Sequence, residues 1–296
     1  MLSGFREVAV HAGGIKISAA VAGDGPPLLL MHGYPQTNAM WHKIAPELAQ
    51  HFTVVASDLR GYGKSDKPKG GAGHVNYSKR VMARDQVELM RRLGFRKFSV
   101  VGHDRGARVA HRMALDHADV LERIALLDIA PTEKMYRLSD KRFATAYYHW
   151  YFLIQPFDLP ERLIGFAPEY YLKHKLKAWS RVPGAFSEEA VAEYVRHFSD
   201  PKAIHASCED YRAAATIDLE HDAADAHRKI SQPLLVLWGQ LGVVGKLFDV
   251  VEAWRERADD VRGAGLACGH FLAEEVPEET LQLLTDFLIQ PAKKGE

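Results

Sequence analysis

The run Gly102-His103-Asp104-Arg105-Gly106 sets a carboxylate between two glycines. The apolar residues Phe98 to Val101 precede it, and a helical pattern from about Arg105 to His117 follows it. A strand, a Gly-x-x-x-Gly turn and a helix force the central residue into strained dihedrals at the strand tip, where its side chain is presented for attack. The glycines leave room for the tight turn. Serine usually occupies such a turn; here the nucleophile is Asp104. The alternative is an ordinary aspartate N-cap, and the surrounding pattern weighs against it.

Arg105 and Arg108 lie three residues apart at the start of the same helix, so they share a face. Arginine is better placed at a helix C-terminus. Two guanidinium groups at the positive end point to an anionic ligand. An anionic substrate also poses a definite problem for Asp104. Two like charges ~4 Å apart repel by about 4 kcal/mol at an effective dielectric near 20. A bidentate guanidinium cancels that repulsion and aims the α-carbon at Asp104. The competing possibility is a surface salt-bridge pair, to which Arg108 is the more open.

These residues need a scaffold. Short strands are expected at Phe5 to Val10 and Ile15 to Val21, then buried strands at Leu28 to Met31 and Phe52 to Ala56. A turn-rich loop, Asp58 to Asp66, follows. Tyr77 to Leu93 has a helical period, with Met82, Leu89, Met90 and Leu93 on one face and Gly94 as the stop. Strands at Phe98 to Val101 and Arg123 to Leu127 flank the Arg105 helix. Strands alternating with helices imply a mostly parallel sheet covered on both faces. The rhythm breaks after Pro131. The stretch to about Arg228 is aromatic, charged and helical. Pro233 to Trp238 then restores the strand pattern, and a last helix runs from about Glu278 to Ile289. The expected organisation is an α/β core of residues 1–130 and 229–296 with a helical cap at 131–228. The Gly-rich patch Lys69 to His74 reads as a flexible loop without the Gly-Lys-Ser/Thr ending of a phosphate loop.

Composition removes several function classes. With 47% hydrophobic and 26% charged residues, the 296-residue chain is globular and long enough for a large core. Lys+Arg and Asp+Glu are both 38, so the basic excess typical of a nucleic-acid partner is missing. Arg91-Arg92 fits a solvated helix face. Cys208 and Cys268 form no close-spaced ligand pattern, which fits a reducing compartment without a disulfide framework. No run approaches ~18 uninterrupted apolar residues, and Met1 to Ala12 lacks the apolar core of a signal peptide. The expected location is the cytoplasm. The expected partner is a small anionic substrate, with no nucleic acid and no membrane; a homodimer is left open.

His32-Gly33-Tyr34-Pro35, Asp58-Leu59-Arg60-Gly61-Tyr62-Gly63-Lys64-Ser65, Gly102-His103-Asp104-Arg105-Gly106 and Gly269-His270-Phe271 together resemble the dehalogenase and epoxide hydrolase branch of the α/β-hydrolase fold. The likeness spans nearly the whole chain. Within that branch, His103-Asp104-Arg105-Gly106-Ala107-Arg108 is most similar to the haloacetate (fluoroacetate) dehalogenases.

That resemblance implies roles for further residues. The fold presents nucleophile, acid and base in chain order, which makes His270, in its turn of small residues, the general base that activates water. The acid that orients it follows one of two strands. After Pro233 to Trp238 no carboxylate occurs until Asp249; after Arg123 to Leu127 stands Asp128, the arrangement that the haloacetate dehalogenases share. The oxyanion hole would use the backbone N–H groups of Tyr34 and Arg105. The resemblance also implies a halide site of His149, Trp150 and Tyr211, all N–H or O–H donors. Without it, Tyr211 is not distinguished from Tyr170, Tyr171 or Tyr194, and Tyr147, Tyr148, Trp150 and Tyr151 could all be packing residues. Cys268 reads as a small buried residue. His221, Asp222, Asp225 and His227 have helical spacing but no established metal motif, and a solvated helix explains them better.

The expected reaction is hydrolysis of a 2-haloacetate to glycolate and halide, with an ester on Asp104 and no metal or organic cofactor required. One rival is an epoxide hydrolase with the same nucleophile. Its cap normally raises two tyrosines over the epoxide oxygen, which this Tyr-rich cap permits, although an uncharged epoxide leaves Arg105 and Arg108 without a ligand. The other rival is a non-catalytic small-molecule receptor on the same fold.

Overall fold

A computed structural model describes residues 2–289 of the chain. Its centre is an 8-stranded sheet in the order β1-β2-β4-β3-β5-β6-β7-β8, comprising β1 (Arg6–Ala12), β2 (Ile15–Ala22), β3 (Pro27–Met31), β4 (Thr53–Ser57), β5 (Phe98–His103), β6 (Leu121–Leu127), β7 (Leu234–Gly239) and β8 (Val261–Leu266). β2 is antiparallel to both β1 and β4, whereas β4, β3 and β5 to β8 are mutually parallel. Every residue of β5 is buried, as expected of a central strand with helices on both faces. The fold class is the one expected, and strand ends differ by a few residues.

The helix predicted at Tyr77 to Leu93 spans Lys79–Arg92. Ser78 caps it by accepting from the Val81 amide at 3.3 Å. At the other end, the Phe95 amide returns to the Met90 carbonyl at 2.9 Å around Gly94, whose φ is 95°. Its buried face carries Met82, Ala83, Leu89 and Met90, an amphipathic stripe that docks it on the sheet. The Arg105–Asp116 helix is buried along nearly its whole length, which fixes its N-terminus, and the turn before it, in the middle of the molecule.

Between β6 and β7 the chain is helical, from Thr132–Arg137 to Ile217–Ala224. Pro201–Ala215 is the longest of these helices and has the largest buried face, including Cys208, Glu209, Asp210, Tyr211 and Arg212. Asp200 caps it from the amide of Lys202 at 2.9 Å, and Pro201 occupies its first turn. The Gly-rich patch expected to be a flexible loop is tied to this helix instead. His74 Nδ1 lies 2.7 Å from Glu209 Oε2, and Asn76 Nδ2 donates to the Lys69 carbonyl at 2.9 Å. Composition identifies a loop but not its anchors. Among the described residues, no helix is long and apolar enough to cross a membrane.

Candidate active site

β5 ends at His103 and the next helix begins at Arg105, leaving Asp104 alone between them with φ 47° and ψ −110°. Such a conformation costs a non-glycine residue about 1–3 kcal/mol, and surrounding structure must hold it. Here, a Cβ on Gly106 would come within 2.4 Å of the Met31 carbonyl, and one on Gly102 within 2.6 Å of the Ala107 backbone. No larger residue fits either flank. Asp104 stands at the N-cap position, but its side chain accepts no hydrogen bond from the helix, so it does not serve as a capping group. Its Oδ1 instead accepts from the Tyr34 amide at 2.9 Å. A Cβ on Gly33 would lie 2.4 Å from the Cβ of Asp104, so only glycine lets that loop come so close.

His270 follows β8 and Asp128 follows β6, so both reach the same C-terminal edge of the sheet as Asp104. His270 Nδ1 is 2.5 Å from Asp128 Oδ2. The other oxygen of Asp128 accepts from the Gly239 amide at 2.9 Å. The His270 amide donates to the Trp179 carbonyl at 3.0 Å. Nε2 of His270 faces Asp104 Oδ2 at 3.9 Å, too far for a hydrogen bond. Burial alone would lower the His270 pKa, but the Asp128 hydrogen bond and charge, with Asp104 behind them, raise it above its ordinary value. Burial pushes Asp128 up, against the pull of His270. Burial also pushes on Asp104, yet the charges of His270 and Arg105 outweigh it and hold this carboxyl below its usual range. A low pKa keeps Asp104 ionised. His103, packed on His270 at 4.6 Å, is driven by burial to about 3 and is neutral.

Arg105 and Arg108 are buried, which rules out the exposed salt-bridge alternative. Nor is either a free bidentate fork. Arg105 Nε and Nη2 hold Asp210 Oδ2 and Oδ1 at 2.9 and 2.8 Å, and Nη2 also reaches the Asp210 carbonyl at 3.0 Å. Arg108 Nη1 donates to the Ala130 carbonyl at 3.2 Å and Thr132 Oγ1 at 2.8 Å, while Nη2 contacts Met135 Sδ at 3.2 Å. What remains is Nη1 on Arg105 and Nε on Arg108, both buried and without a hydrogen-bond partner among the described residues. Buried donors in that state are costly, so each is a candidate for a ligand oxygen.

The cap aromatics join this pair. The Arg105 guanidinium carbon lies 4.2 Å from the Tyr211 ring centroid, and that of Arg108 lies 4.8 Å from Trp150. His149 and Tyr211 rings are 5.5 Å apart, Trp150 and Tyr211 6.5 Å. All three are buried, and the Tyr211 hydroxyl and His149 Nδ1 lack partners among the described residues. Burial, with Lys175 nearby, takes the His149 pKa well down, so its ring is neutral. Two of the other tyrosines separate: Tyr170 is 73% exposed, and the Tyr194 hydroxyl is committed to Glu274 Oε1 at 2.9 Å. Tyr171 stacks on Phe198 at 6.1 Å. Tyr147 lies in the same buried cluster, stacked on Trp150 at 6.3 Å.

With this geometry in view, residues 26–275 match the family defined by the alpha/beta hydrolase fold. The chain belongs to the alpha/beta hydrolases. This alpha/beta hydrolase is 47% identical to a fluoroacetate dehalogenase from Burkholderia sp., over 97% of its own length and 95% of that protein. It is 36% identical to a soluble epoxide hydrolase from Corynebacterium sp. (strain C12), covering 93% and 94% of the two chains. The crystal structure of ALR0039 from Nostoc sp. PCC 7120 is similar at a TM-score of 0.97 and 61% identity, covering 98% of this chain and 100% of that one.

The hydrolase site also contains residues that sequence reasoning missed. Asp210 is fully buried and, besides Arg105, binds the Tyr62 hydroxyl at 2.8 Å and the Lys79 ammonium. Lys79 Nζ in turn lies 3.3 Å from Asp218 Oδ2. The one available signal was position: Asp210 precedes Tyr211. Trp179, whose ring packs on His149 at 4.6 Å and His270 at 5.4 Å, was also missed. Cys268 is a buried free thiol pushed up by burial, unsuited to nucleophilic attack. Among the described residues no three His, Cys, Asp or Glu side chains converge to hold a metal. Asp225, from the helical-spacing set, pairs with Arg112 at 2.8 Å and Arg228 at 3.1 Å instead.

Proposed function

We propose that this alpha/beta hydrolase converts 2-haloacetates, fluoroacetate or chloroacetate, to glycolate and halide through an ester on Asp104. The observation that carries the reading is the pair of buried, unpartnered guanidinium donors, Arg105 Nη1 and Arg108 Nε, around a buried aspartate held on a strained turn. They suit a carboxylate that must approach another carboxylate. The likeness to the fluoroacetate dehalogenase points the same way.

In this scheme one substrate oxygen meets each free donor, which turns the α-carbon toward Asp104. A carboxylate oxygen of Asp104 displaces halide, forming a C–O bond as the C–halide bond breaks. His149, Trp150 and Tyr211, carried by the 131–228 cap, donate to the departing halide. His270, oriented by Asp128, takes a proton from water, whose oxygen attacks Cγ of Asp104. The oxyanion that forms there is met by the amides of Tyr34 and Arg105. Collapse expels the glycolate oxygen, which takes the proton back from His270, and restores the Asp104 carboxylate with one oxygen from water, its remaining proton passing to solvent. The direct test is halide and diol release from fluoroacetate, chloroacetate and a simple epoxide by the purified chain. Halide release from the acids is expected. Turnover of the epoxide alone would select the epoxide hydrolase reading, which the Corynebacterium relative supports. Turnover of neither would favour a receptor.

A further inference from the structure

The donors on Arg105 are divided unequally. A guanidinium has five N–H groups in a rigid fork. Three of them point at Asp210: Nε–H at Oδ2 (2.9 Å) and the two on Nη2 at Oδ1 (2.8 Å) and the main-chain carbonyl (3.0 Å). Asp210 is itself pinned from the core side. Tyr62 donates to Oδ2 at 2.8 Å and Lys79 to Oδ1. Four donors therefore converge on one fully buried carboxylate, which has no freedom left to move.

Asp210 and Tyr211 are consecutive on the Pro201–Ala215 helix. One grips the edge of the Arg105 guanidinium, and the other lies on its face at 4.2 Å. The plane and rotation of that guanidinium are thus set by a cap helix, although Arg105 belongs to the core.

We propose that Asp210 is a positioning residue for the substrate carboxylate: it consumes one edge of Arg105 so that Nη1 alone is presented, at a fixed place, beside Nε of Arg108. The inference rests on the haloacetate reading of this site. A guanidinium free at both edges could grip a carboxylate in several rotations. Held as observed, Arg105 and Arg108 offer one group apiece, one for each carboxylate oxygen, and hence a single orientation of the α-carbon. The bland alternative is that Asp210 merely neutralises buried positive charge.

The test compares wild type, Asp210→Asn, Asp210→Glu and the double variant Lys79→Met/Asp210→Asn. Two readouts are used: kcat and KM for fluoroacetate, and calorimetric Kd for acetate, an inert carboxylate. Asp210→Asn is expected to raise KM and the acetate Kd together, by about tenfold or more, with a smaller change in kcat. Asp210→Glu should fall between. The double variant removes one positive and one negative charge but not the misplacement, so it should stay impaired. A normal KM and acetate Kd in Asp210→Asn would overturn the inference, and so would full recovery in the double variant. If Asp210→Asn does not fold, Asp210→Glu and the double variant make the same comparison. If wild type binds acetate but releases no halide, the haloacetate reading falls while weakened acetate binding in the variants still supports Asp210. If wild type binds no acetate, both fall.

Discussion

Nδ1 of His270 lies 2.5 Å from Oδ2 of Asp128, and this contact leaves the other ring nitrogen, Nε2, turned to Asp104. A carboxylate only accepts, so Nδ1 carries a proton, and in the neutral ring Nε2 faces Asp104 with its lone pair. Asp128 is held in turn by the Gly239 amide at 2.9 Å, so the ring orientation is inherited from the end of β7.

Asp128→Asn removes that preference and should lower the rate of ester hydrolysis on the order of 10³–10⁴-fold, as loss of the orienting acid does in hydrolytic triads. The pH profile supplies the sign. Asp128 raises the His270 pKa, and in the proposed reaction His270 must be neutral to act. Wild-type activity is therefore expected to fall as pH drops through a midpoint above the ordinary ~6.5 of imidazole. In Asp128→Asn the midpoint should move to lower pH. Steady-state rates from pH 5 to 9 measure it, and an unmoved acid limb would count against the assignment.

The proposed covalent step has an isotopic signature. One turnover in heavy-oxygen water should place label in the Asp104 carboxylate, read by mass spectrometry of the peptide that contains it. Label in glycolate alone would mean direct attack by water. Asp104→Asn should abolish halide release. His270→Gln should release a single equivalent of halide and then stall, with the glycolyl ester retained on the protein.

Much of this machinery is legible in the sequence, and the limits are physical. Asp104 and His270 sit in short turns whose glycines are dictated by local close approach, so their motifs are contiguous. β3 and β5 are short apolar runs because both sheet faces are covered. β8, Val261–Leu266, has mixed burial and three small residues, and gives only a faint signal. The four-residue helix Ala45–Leu48 and the helix Val250–Arg255 leave no clear period. Asp210 is illegible for a different reason. A buried arginine needs a partner, but which carboxylate supplies it depends on how the cap docks 105 residues further along the chain.

Tyr211 offers a separate handle on the proposed halide pocket. Its hydroxyl is buried and has no partner among the described residues, so Tyr211→Phe removes no hydrogen bond to another described residue. Tyr211→Phe should therefore leave Tm unchanged or raise it. Halide release should nonetheless fall by about 10–100-fold, one hydrogen bond to the leaving group being worth about 1.5–3 kcal/mol when charged. Fluoroacetate should suffer more than chloroacetate because fluoride is the stronger acceptor. Equal losses for the two substrates would remove Tyr211 from the halide site.

The remaining prediction concerns Lys175, buried at 1% exposure with its Nζ 3.6 Å from the Tyr148 centroid and 5.2 Å from those of both Tyr171 and Trp179. It has aromatic rings around it but, among the described residues, no carboxylate paired with it, and burial lowers its pKa to about 7. The unfolded chain holds that proton until about pH 10.4. Between those values the unfolded state binds more protons, so stability rises with pH, and the full cost is present below about 7. Lys175→Met should therefore raise Tm at pH 6 by a few degrees, for a gain on the order of 1–3 kcal/mol. The advantage should shrink toward pH 10. Glu274, pushed up to about 8 by burial, tilts the wild-type curve the opposite way between about 4.3 and that value. The difference between variant and wild type cancels that slope. Thermal melts across pH 6 to 10 give the difference curve directly. A gain that does not depend on pH would mean that Lys175 holds its proton in the folded protein as firmly as in the unfolded chain, so that burial does not lower its pKa.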